Sequence, residues 1–291
     1  VDFTAFHGRI DLSADYYIKN TDNLLLDITK APSVGVTTSR ENIGEVQNTG
    51  FELRLRTFPI QNKDWQWSLG FTYAYNKNKI KKISNALREQ NEQNLAKGGV
   101  APLPVYEEGQ SLTALKVVPS AGIDPVTGQE IFIKRDGSYT FVYDPNDKVI
   151  FGDTNPTGIG AINSYLTYKR FAFSCSFQYS FGGALYNETL ATKVEGANPK
   201  YNADERVLND RWKTPGTEAK YKRIDDTATP YQTSRFVQKN NYLRMTSLSF
   251  SYEVPTTWLQ KYGLKRMFLE LLTNDLFYLS TAKRERGLNY P

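Results

Sequence analysis

Cysteine, histidine and long apolar runs are what this sequence has least of, and each scarcity closes off a class of protein. One cysteine, Cys175, in 291 residues excludes an internal disulfide and says little about compartment. One histidine, His7, falls at an expected turn. A Ser-His-Asp triad or a histidine metal site would have to be assembled around it, and no partner motif accompanies it. The expectation is therefore a non-enzyme, with no cofactor and no metal. No stretch approaches the roughly eighteen consecutive apolar residues that a membrane-spanning helix needs. With 40% hydrophobic residues and a mean hydropathy of −0.53, the chain looks soluble on hydropathy alone. That test is blind to transmembrane β-barrels, whose strands alternate apolar and polar residues and average to nothing. Net charge is +5 with a pI near 9.0, but there is no dense basic run. The nearest, Lys79 to Lys82, ends a strand, so a solvated face or channel wall is expected and nucleic acid is not. No signal peptide opens the sequence, and Val1 leads straight into patterned residues, so a fragment of a longer protein is expected.

Aromatic residues are abundant instead: 19 Tyr, 16 Phe and 4 Trp against 2 Met. Tyr and Trp favour places where one end of a side chain is apolar and the other wet, as at a membrane interface. Many of them fall in alternating runs. Ile10, Leu12, Ala14, Tyr16 and Ile18 take one side, while Arg9, Asp11, Ser13, Asp15 and Tyr17 take the other. Phe51, Leu53 and Leu55 oppose Glu52, Arg54 and Arg56. Trp65, Trp67, Leu69, Phe71, Tyr73 and Tyr75 alternate with Gln66, Ser68, Gly70, Thr72, Ala74 and Asn76. The pattern returns at Phe171 to Phe181 and at Ser247 to Val254, with less regular strands expected at Ile159 to Lys169 and Met267 to Leu276. A period of two sorts residues onto the two faces of a strand, whereas a helix scatters them. Runs this long suit the roughly 9–11 residues of a tilted transmembrane strand better than the usual five or six of a globular one. The soluble alternative is a secreted, carbohydrate-binding β-sandwich, which requires the apolar rows to be buried within the protein.

Connections fall into two alternating classes. Short turns are expected at Gln61 to Asp64, Lys169 to Arg170 and Pro255 to Lys265, and long segments at Thr29 to Asn48, Ser84 to Thr157 and Asn187 to Asn240. Bacterial barrels have short periplasmic turns and long extracellular loops, while compact soluble domains rarely carry such long connections. Within the loops, Ser84 to Lys97 is expected to be a short helix, and Gln129 to Ile133 to pair with Ser138 to Tyr143 as a hairpin. Glu107-Glu108 and Asp225-Asp226 are adjacent loop acids, not carboxylates facing each other across a sugar. Asp144 to Asp147 is a turn, lacking the length and final Glu of a calcium loop. Gly158-Ile-Gly160 lacks the third glycine and the helix of a dinucleotide motif. Cys175 is a small filler in an apolar row. The loop rings Tyr139, Tyr143, Tyr201, Trp212 and Tyr221 are candidates for stacking on a ligand, against the plainer reading that they fold the loops on themselves. Arg9, Asp11, Asp15, Glu52, Arg54 and Arg56 are expected to face the lumen, and the apolar rows lipid.

Several segments resemble a known family in order along nearly the whole chain. Asn42-Ile-Gly-Glu-Val-Gln-Asn-Thr-Gly-Phe-Glu52 resembles the "NIGE…N.GFE" segment of SusC/RagA TonB-linked outer-membrane proteins. Tyr16 to Leu25, Tyr75 to Ile80, Tyr106 to Ser111, Ala121 to Gly128, Phe151 to Pro156, Leu208 to Trp212, Thr233 to Val237, Tyr242 to Arg244 and Asn274 to Phe277 are similar to further family segments. The resemblance implies an all-β fold: an antiparallel transmembrane β-barrel of about 22 strands with long extracellular loops and an N-terminal plug. Residues 1–291 would be the C-terminal part of that one barrel domain, carrying about seven full strands and lacking the plug and the last strand. It also implies import of an oligosaccharide or peptide across a bacterial outer membrane. The implied partners are a SusD-like surface lipoprotein and, through the missing N-terminal part, the TonB complex. A siderophore or vitamin receptor is the competing reading within the wider TonB-dependent class.

Overall fold

The computed structural model describes residues 1–29, 38–97, 99–198, 200–226 and 228–282. The chain runs through wall strands β1 (Asp2–Ala5), β2 (Ile10–Thr29), β3 (Thr38–Gln61) and β4 (Trp65–Ile83). An excursion follows, with helix α1 (Asn85–Ala96) and short strands β5 (Ala114–Val117), β6 (Ser120–Ile123), β7 (Glu130–Ile133), β8 (Tyr139–Thr140) and β9 (Val149–Asp153). The wall resumes with β10 (Gly158–Tyr168) and β11 (Phe171–Tyr186). A second excursion carries a π-helical turn, Leu190–Glu195, and a short helix α2 (Arg206–Asn209). β12 (Val237–Glu253), the turn helix α3 (Thr256–Leu259), β13 (Phe268–Asn274) and β14 (Tyr278–Ser280) complete the sheet.

The wall strands pair in the order β1-β2-β3-β4-β10-β11-β12-β13, all antiparallel, so neighbours in sequence along the wall are neighbours in space. β14 pairs with the same strand, β12, that holds β13; the two are one strand interrupted at 275–277. There Arg244 Nε donates to Asp275 Oδ1 at 2.8 Å. The expected seven strands are present. The first long connection is shorter than expected, because the β2–β3 ladder continues to Thr29↔Thr38 and takes in residues 38–48. Residues 30–37, and the terminal Asn289-Tyr-Pro291, lie outside the described residues.

Registration keeps the two faces distinct across the sheet. Leu12, Leu55, Phe71, Ile162, Phe177 and Met245 form one cross-strand row, and Asp11, Arg56, Gly70, Asn163, Ser176 and Ser247 form the adjacent row on the opposite face. Because side chains alternate with period two, a slip of one residue would exchange the rows. In β12 that danger is met by a bulge. Ser176 pairs with Ser247 but Phe177 pairs with Met245, leaving Thr246 over. The extra residue reverses the parity, so Met245 and Leu243 join the face of Leu248 and Phe250. Thr246 Oγ1 donates to the Ser176 carbonyl at 3.1 Å, a contact made from the bulge itself.

Aromatic side chains gather at the two ends of the apolar face. At the short-turn end Trp65 and Tyr168 lie 4.1 Å apart between centroids, and Phe171 and Tyr252 4.7 Å. Towards the other end Phe71 stacks on Tyr179 at 6.0 Å and Tyr73 on Phe181 at 6.2 Å. Leu69, Ile162, Cys175, Phe177 and Leu248 fill the zone between. From Trp65 to Tyr75 is about ten residue steps, roughly 33 Å along a strand and about 25 Å in height at a barrel tilt, the apolar band of an outer-membrane barrel. Phe171, Phe173, Phe250 and Leu271 on this face remain exposed, and the other sheets among the described residues are small loop ribbons. The sandwich reading required a second layer over this face; these side chains have none.

The two excursions fold onto each other. Val118 N–H donates to the Gln232 carbonyl and Ser234 N–H to the Val118 carbonyl, both at 3.0 Å. Leu190, Ala191, Val194, Val207, Tyr221 and Phe236 of the second excursion make a buried core, and Val100 of the first packs against it. At its side Arg235 grips Glu130 with a two-pronged contact, Nε to Oε1 and Nη2 to Oε2, each 2.7 Å, and reaches Glu195 Oε1 at 2.8 Å. Burial opposes the guanidinium charge, but the hydrogen bonds and charges of the two glutamates outweigh it and hold its pKa above the ordinary arginine value. The expected helix and hairpin both form: Ser84 caps α1 by accepting from Leu87 N–H, and β7 pairs with β8.

Two substitutions at adjacent positions test the sidedness. Phe177→Lys in the full-length protein should cost about 2–4 kcal/mol of folding stability in lipid, whereas Ser176→Lys should cost close to nothing. Denaturant titration of folding into liposomes reads the difference; equal losses would contradict the assignment of faces. Arg235→Met strands two buried carboxylates and should cost about 3–5 kcal/mol. Faster trypsin cleavage at Lys213 to Arg223 with an unchanged barrel is the expected result, and Arg235→Lys, which lacks the planar fork, should be intermediate.

Candidate functional site

The polar face is the concave one. A hollow of 540 Å³ is lined by Ser13, Asp15, Glu52, Arg54, Thr72 and Gln178, with Leu53, Tyr73, Ile159 and small residues completing it. A second, of 440 Å³, continues it past Arg56, Ser68, Asn163 and Ser174. Asp11 stands opposite Arg56 and Ser13 opposite Arg54, so charges of opposite sign neighbour each other along the wall. Asp15 faces Glu52 directly. Two carboxylates in register repel, and they are tolerated where water or a cation screens them. Farther round, Ser174 and Ser249 share a hydrogen bond of 2.7 Å, and small side chains leave the surface open. The register thus puts Asp11, Asp15, Glu52, Arg54 and Arg56 on one face of the sheet, and all but Asp11 line the hollows. Arg9 lies one residue outside the strand. β2 begins at Ile10, and Arg9 lies in the tight turn after β1, where its carbonyl accepts from Phe58 N–H at 2.8 Å. The alternation of Arg9 with Ile10 runs one residue past the strand because a turn leaves no mark on the pattern itself.

The loop rings separate into three kinds. Tyr139 and Tyr201 are 70% and 74% exposed and free to meet a ligand. Tyr143 stacks on Tyr231 with centroids 4.3 Å apart, and Phe132 meets both edge-on. Burial, with the nearby Glu130 charge, pushes the Tyr143 phenol up to about 12. Trp212 donates Nε1–H to the Pro125 carbonyl at 2.8 Å and lies flat on Gly128, where φ is +72° and any Cβ would collide with the indole. One edge of Trp212 still lines a groove with Leu208, Lys213 and Ile224. Tyr221 is 7% exposed inside the loop core, so it is a packing residue and is withdrawn from the ligand-facing set. The residues that sequence reasoning passed over are Arg235, Glu130 and Glu195. Arg235 sits inside Thr233 to Val237, a segment whose resemblance was noted without a role for its charge.

The loops are anchored to the wall at the end opposite the short turns. Asn78 Oδ1, near the end of β4, accepts from Leu112 N–H at 2.7 Å and Ser111 Oγ at 3.0 Å. Ile80 and Gly109–Gln110 exchange two backbone hydrogen bonds of 2.8 Å, and Asn187 N–H donates to the Phe236 carbonyl at 2.7 Å. The arrangement is a wetted, charge-bearing concave wall with a folded loop body held at one rim. No cluster of metal ligands occurs among the described residues.

Comparison with known proteins agrees with this geometry. Residues 1–104 match the family described as TonB dependent receptor-like, beta-barrel. TonB-dependent receptor P3 of Formosa agariphila is 30% identical over 294 residues, covering 95% of this chain and 28% of that protein. TonB-dependent receptor SusC of Bacteroides thetaiotaomicron is 24% identical over 269 residues, covering 89% of this chain and 26% of that protein. The chain therefore spans little more than a quarter of the length of these relatives. Among solved structures, the RagAB peptide transporter superposes with a TM-score of 0.81 at 20% identity, covering 97% of this chain and 31% of that one, a likeness of fold. Together with the alternating wall, these matches identify the chain as part of a TonB-dependent receptor β-barrel, similar to SusC in sequence and to RagAB in fold.

Proposed function

We propose that the protein containing this chain imports a nutrient, an oligosaccharide or a peptide, across a bacterial outer membrane. In this reading residues 1–291 belong to one barrel domain and supply part of its wall together with its outer loops. The plug that closes the pore and the remaining strands come from elsewhere in the protein. The single observation that carries the reading is the sidedness of the sheet. One face bears an exposed apolar band between two aromatic rows, and the other is concave, polar and lined by Asp15, Glu52, Arg54 and Arg56. An antiparallel sheet with lipid on one side and water on the other satisfies its backbone internally only when its strands close into a barrel. Passage, not bond-making chemistry, is the role such a surface serves.

A SusD-like surface lipoprotein and the TonB complex are the proposed partners. The loop body is the part placed to meet the lipoprotein and the incoming ligand, with Tyr139 and Tyr201 as the exposed rings.

The test uses the full-length protein in its native host. It should fractionate with the outer membrane, require detergent to stay monodisperse, and bring down a lipoprotein when purified under mild conditions. Deleting its gene should abolish growth on one class of oligosaccharide or peptide and leave growth on free monomers intact. A monodisperse protein in plain buffer would sink the barrel reading. A deletion strain failing only on an iron chelate or a vitamin would move the assignment to another branch of the family. Tyr139→Ala and Tyr201→Ala together should weaken ligand uptake about tenfold, on the scale of a lost ring stack, without altering the amount of protein in the membrane.

A further inference from the structure

The loop body holds a buried lysine, Lys148, that has no ion-pair partner among the described residues. β5 and β9 pair so that Lys116 stands opposite Ile150, which places Lys148, two residues before Ile150, diagonally beside Lys116 on the same side of the ribbon. Both lysines are covered: Lys116 is 6% exposed and Lys148 3%. Lys116 is paired, its Nζ in close contact with Glu107 Oε1. Glu107 is set in place by α1, because Asn91 accepts from Tyr106 N–H at 2.8 Å and donates to the Tyr106 carbonyl at 2.6 Å. Lys148 makes neither a side-chain hydrogen bond nor an ion pair among the described residues.

The neighbourhood adds positive charge to this pair. Arg135 Nη2 donates to the Lys148 carbonyl at 3.3 Å. The acids nearby in sequence are occupied locally: Asp144 Oδ1 accepts from Asn146 N–H at 2.8 Å and Asp147 Oδ1 from Arg135 N–H at 3.1 Å. Burial, and then the charge of Lys116, lower the affinity of Lys148 for its proton. Lys116 has the Glu107 carboxylate in contact and Lys148 has none, so one covered ammonium lacks a contact counter-charge, which a buried site tolerates poorly.

We propose that the Lys116–Lys148 ribbon face is a binding site for a compact oxyanion, a sulfate or phosphate group, that completes the charge balance begun by Glu107. A small tetrahedral anion can accept from ammonium groups, which act as compact point charges with rotatable donors. The group arrives either as the free ion or as a substituent on a saccharide. The site lies in the loop body, and its assignment does not depend on which nutrient the barrel carries.

Full-length protein in detergent, titrated with sodium sulfate or sodium phosphate against sodium chloride at matched ionic strength, tests this by calorimetry and thermal melting. Sulfate or phosphate should bind saturably and raise Tm, and chloride should not. Lys148→Met should weaken that binding about tenfold or more, the scale of a lost hydrogen bond to a charged group. Glu107→Gln, which removes the competing carboxylate, should strengthen it. Galactose 6-sulfate and glucose 6-phosphate, run beside galactose and glucose, separate the two sources: tighter binding than the inorganic ion assigns the site to a substituted saccharide, equal binding to the free ion. Absence of saturable binding to the wild type overturns the proposal, as does binding that both variants leave unchanged. If Lys148→Met does not fold, the Glu107→Gln titration decides alone, and weaker or unaltered binding there counts against the site.

Discussion

Every backbone N–H and C=O in a membrane-crossing sheet must find its partner within the sheet, because hydrocarbon offers none. That constraint sets the form of this chain. It dictates long strands, nearest-neighbour antiparallel pairing and a register held across the wall from β1 to β13. Once the ladder is fixed, the two faces are fixed as well, and the amino-acid pattern has only to match them. The rows through Phe71 and Gly70 show how completely it does, with apolar side chains on one side and polar or small ones on the other. The long excursions leave this order intact, since β4 and β10, and β11 and β12, remain neighbours despite the chain that intervenes.

The match is maintained by local devices as much as by alternation. Thr246 adds one residue to β12 and keeps Leu243 and Met245 on the apolar side. Glycines admit close approach where rings cross the strands. Any Cβ at Gly160 would lie 2.0 Å from the Thr72 carbonyl oxygen and 2.5 Å from Tyr179 Oη, while Tyr179 Oη itself donates to that carbonyl at 2.8 Å. Gly50 does the same beneath the ring of Tyr17 on the opposite face. An aromatic ring laid over a strand glycine restores the contact that the missing side chain forfeits, and rigidifies the wall where it is otherwise thin.

The wall was legible because period-two alternation is a local signal: Trp65 to Asn76 carries it within one strand, and no distant residue is needed to read it. Its lapses came where one residue changes the parity without changing the composition. Arg9 continues the alternation of β2 into a turn, and the alternation of β12 is readable only from Ser247 because Thr246 inverts it. The extension of β2 and β3 beyond the expected loop boundary was hidden by their polar residues, which read as connection but pair as ladder. The loop body was hardly legible at all. Arg235 meets Glu130 across 105 residues and Glu195 across 40, and no spacing rule joins such positions. Tyr221 was misread for the same reason: an excursion long enough to build its own core buries rings that composition alone leaves on the surface.

The knot at Arg235 also bears on the thermodynamics of capture. Two excursions of this length, left untied, would form a fluctuating canopy that each guest had to quiet before it could be held. Joined by Val118 and Thr233, threaded by Gln232 to the carbonyls of Gly99 and Ala101, and clamped by one arginine between two glutamates, they are tied together within the fold itself. The entropy of ordering them belongs to folding, so it does not weaken association. On the proposed role in uptake, the loop body is in that sense a prepared surface, and selectivity can reside in shape fixed beforehand.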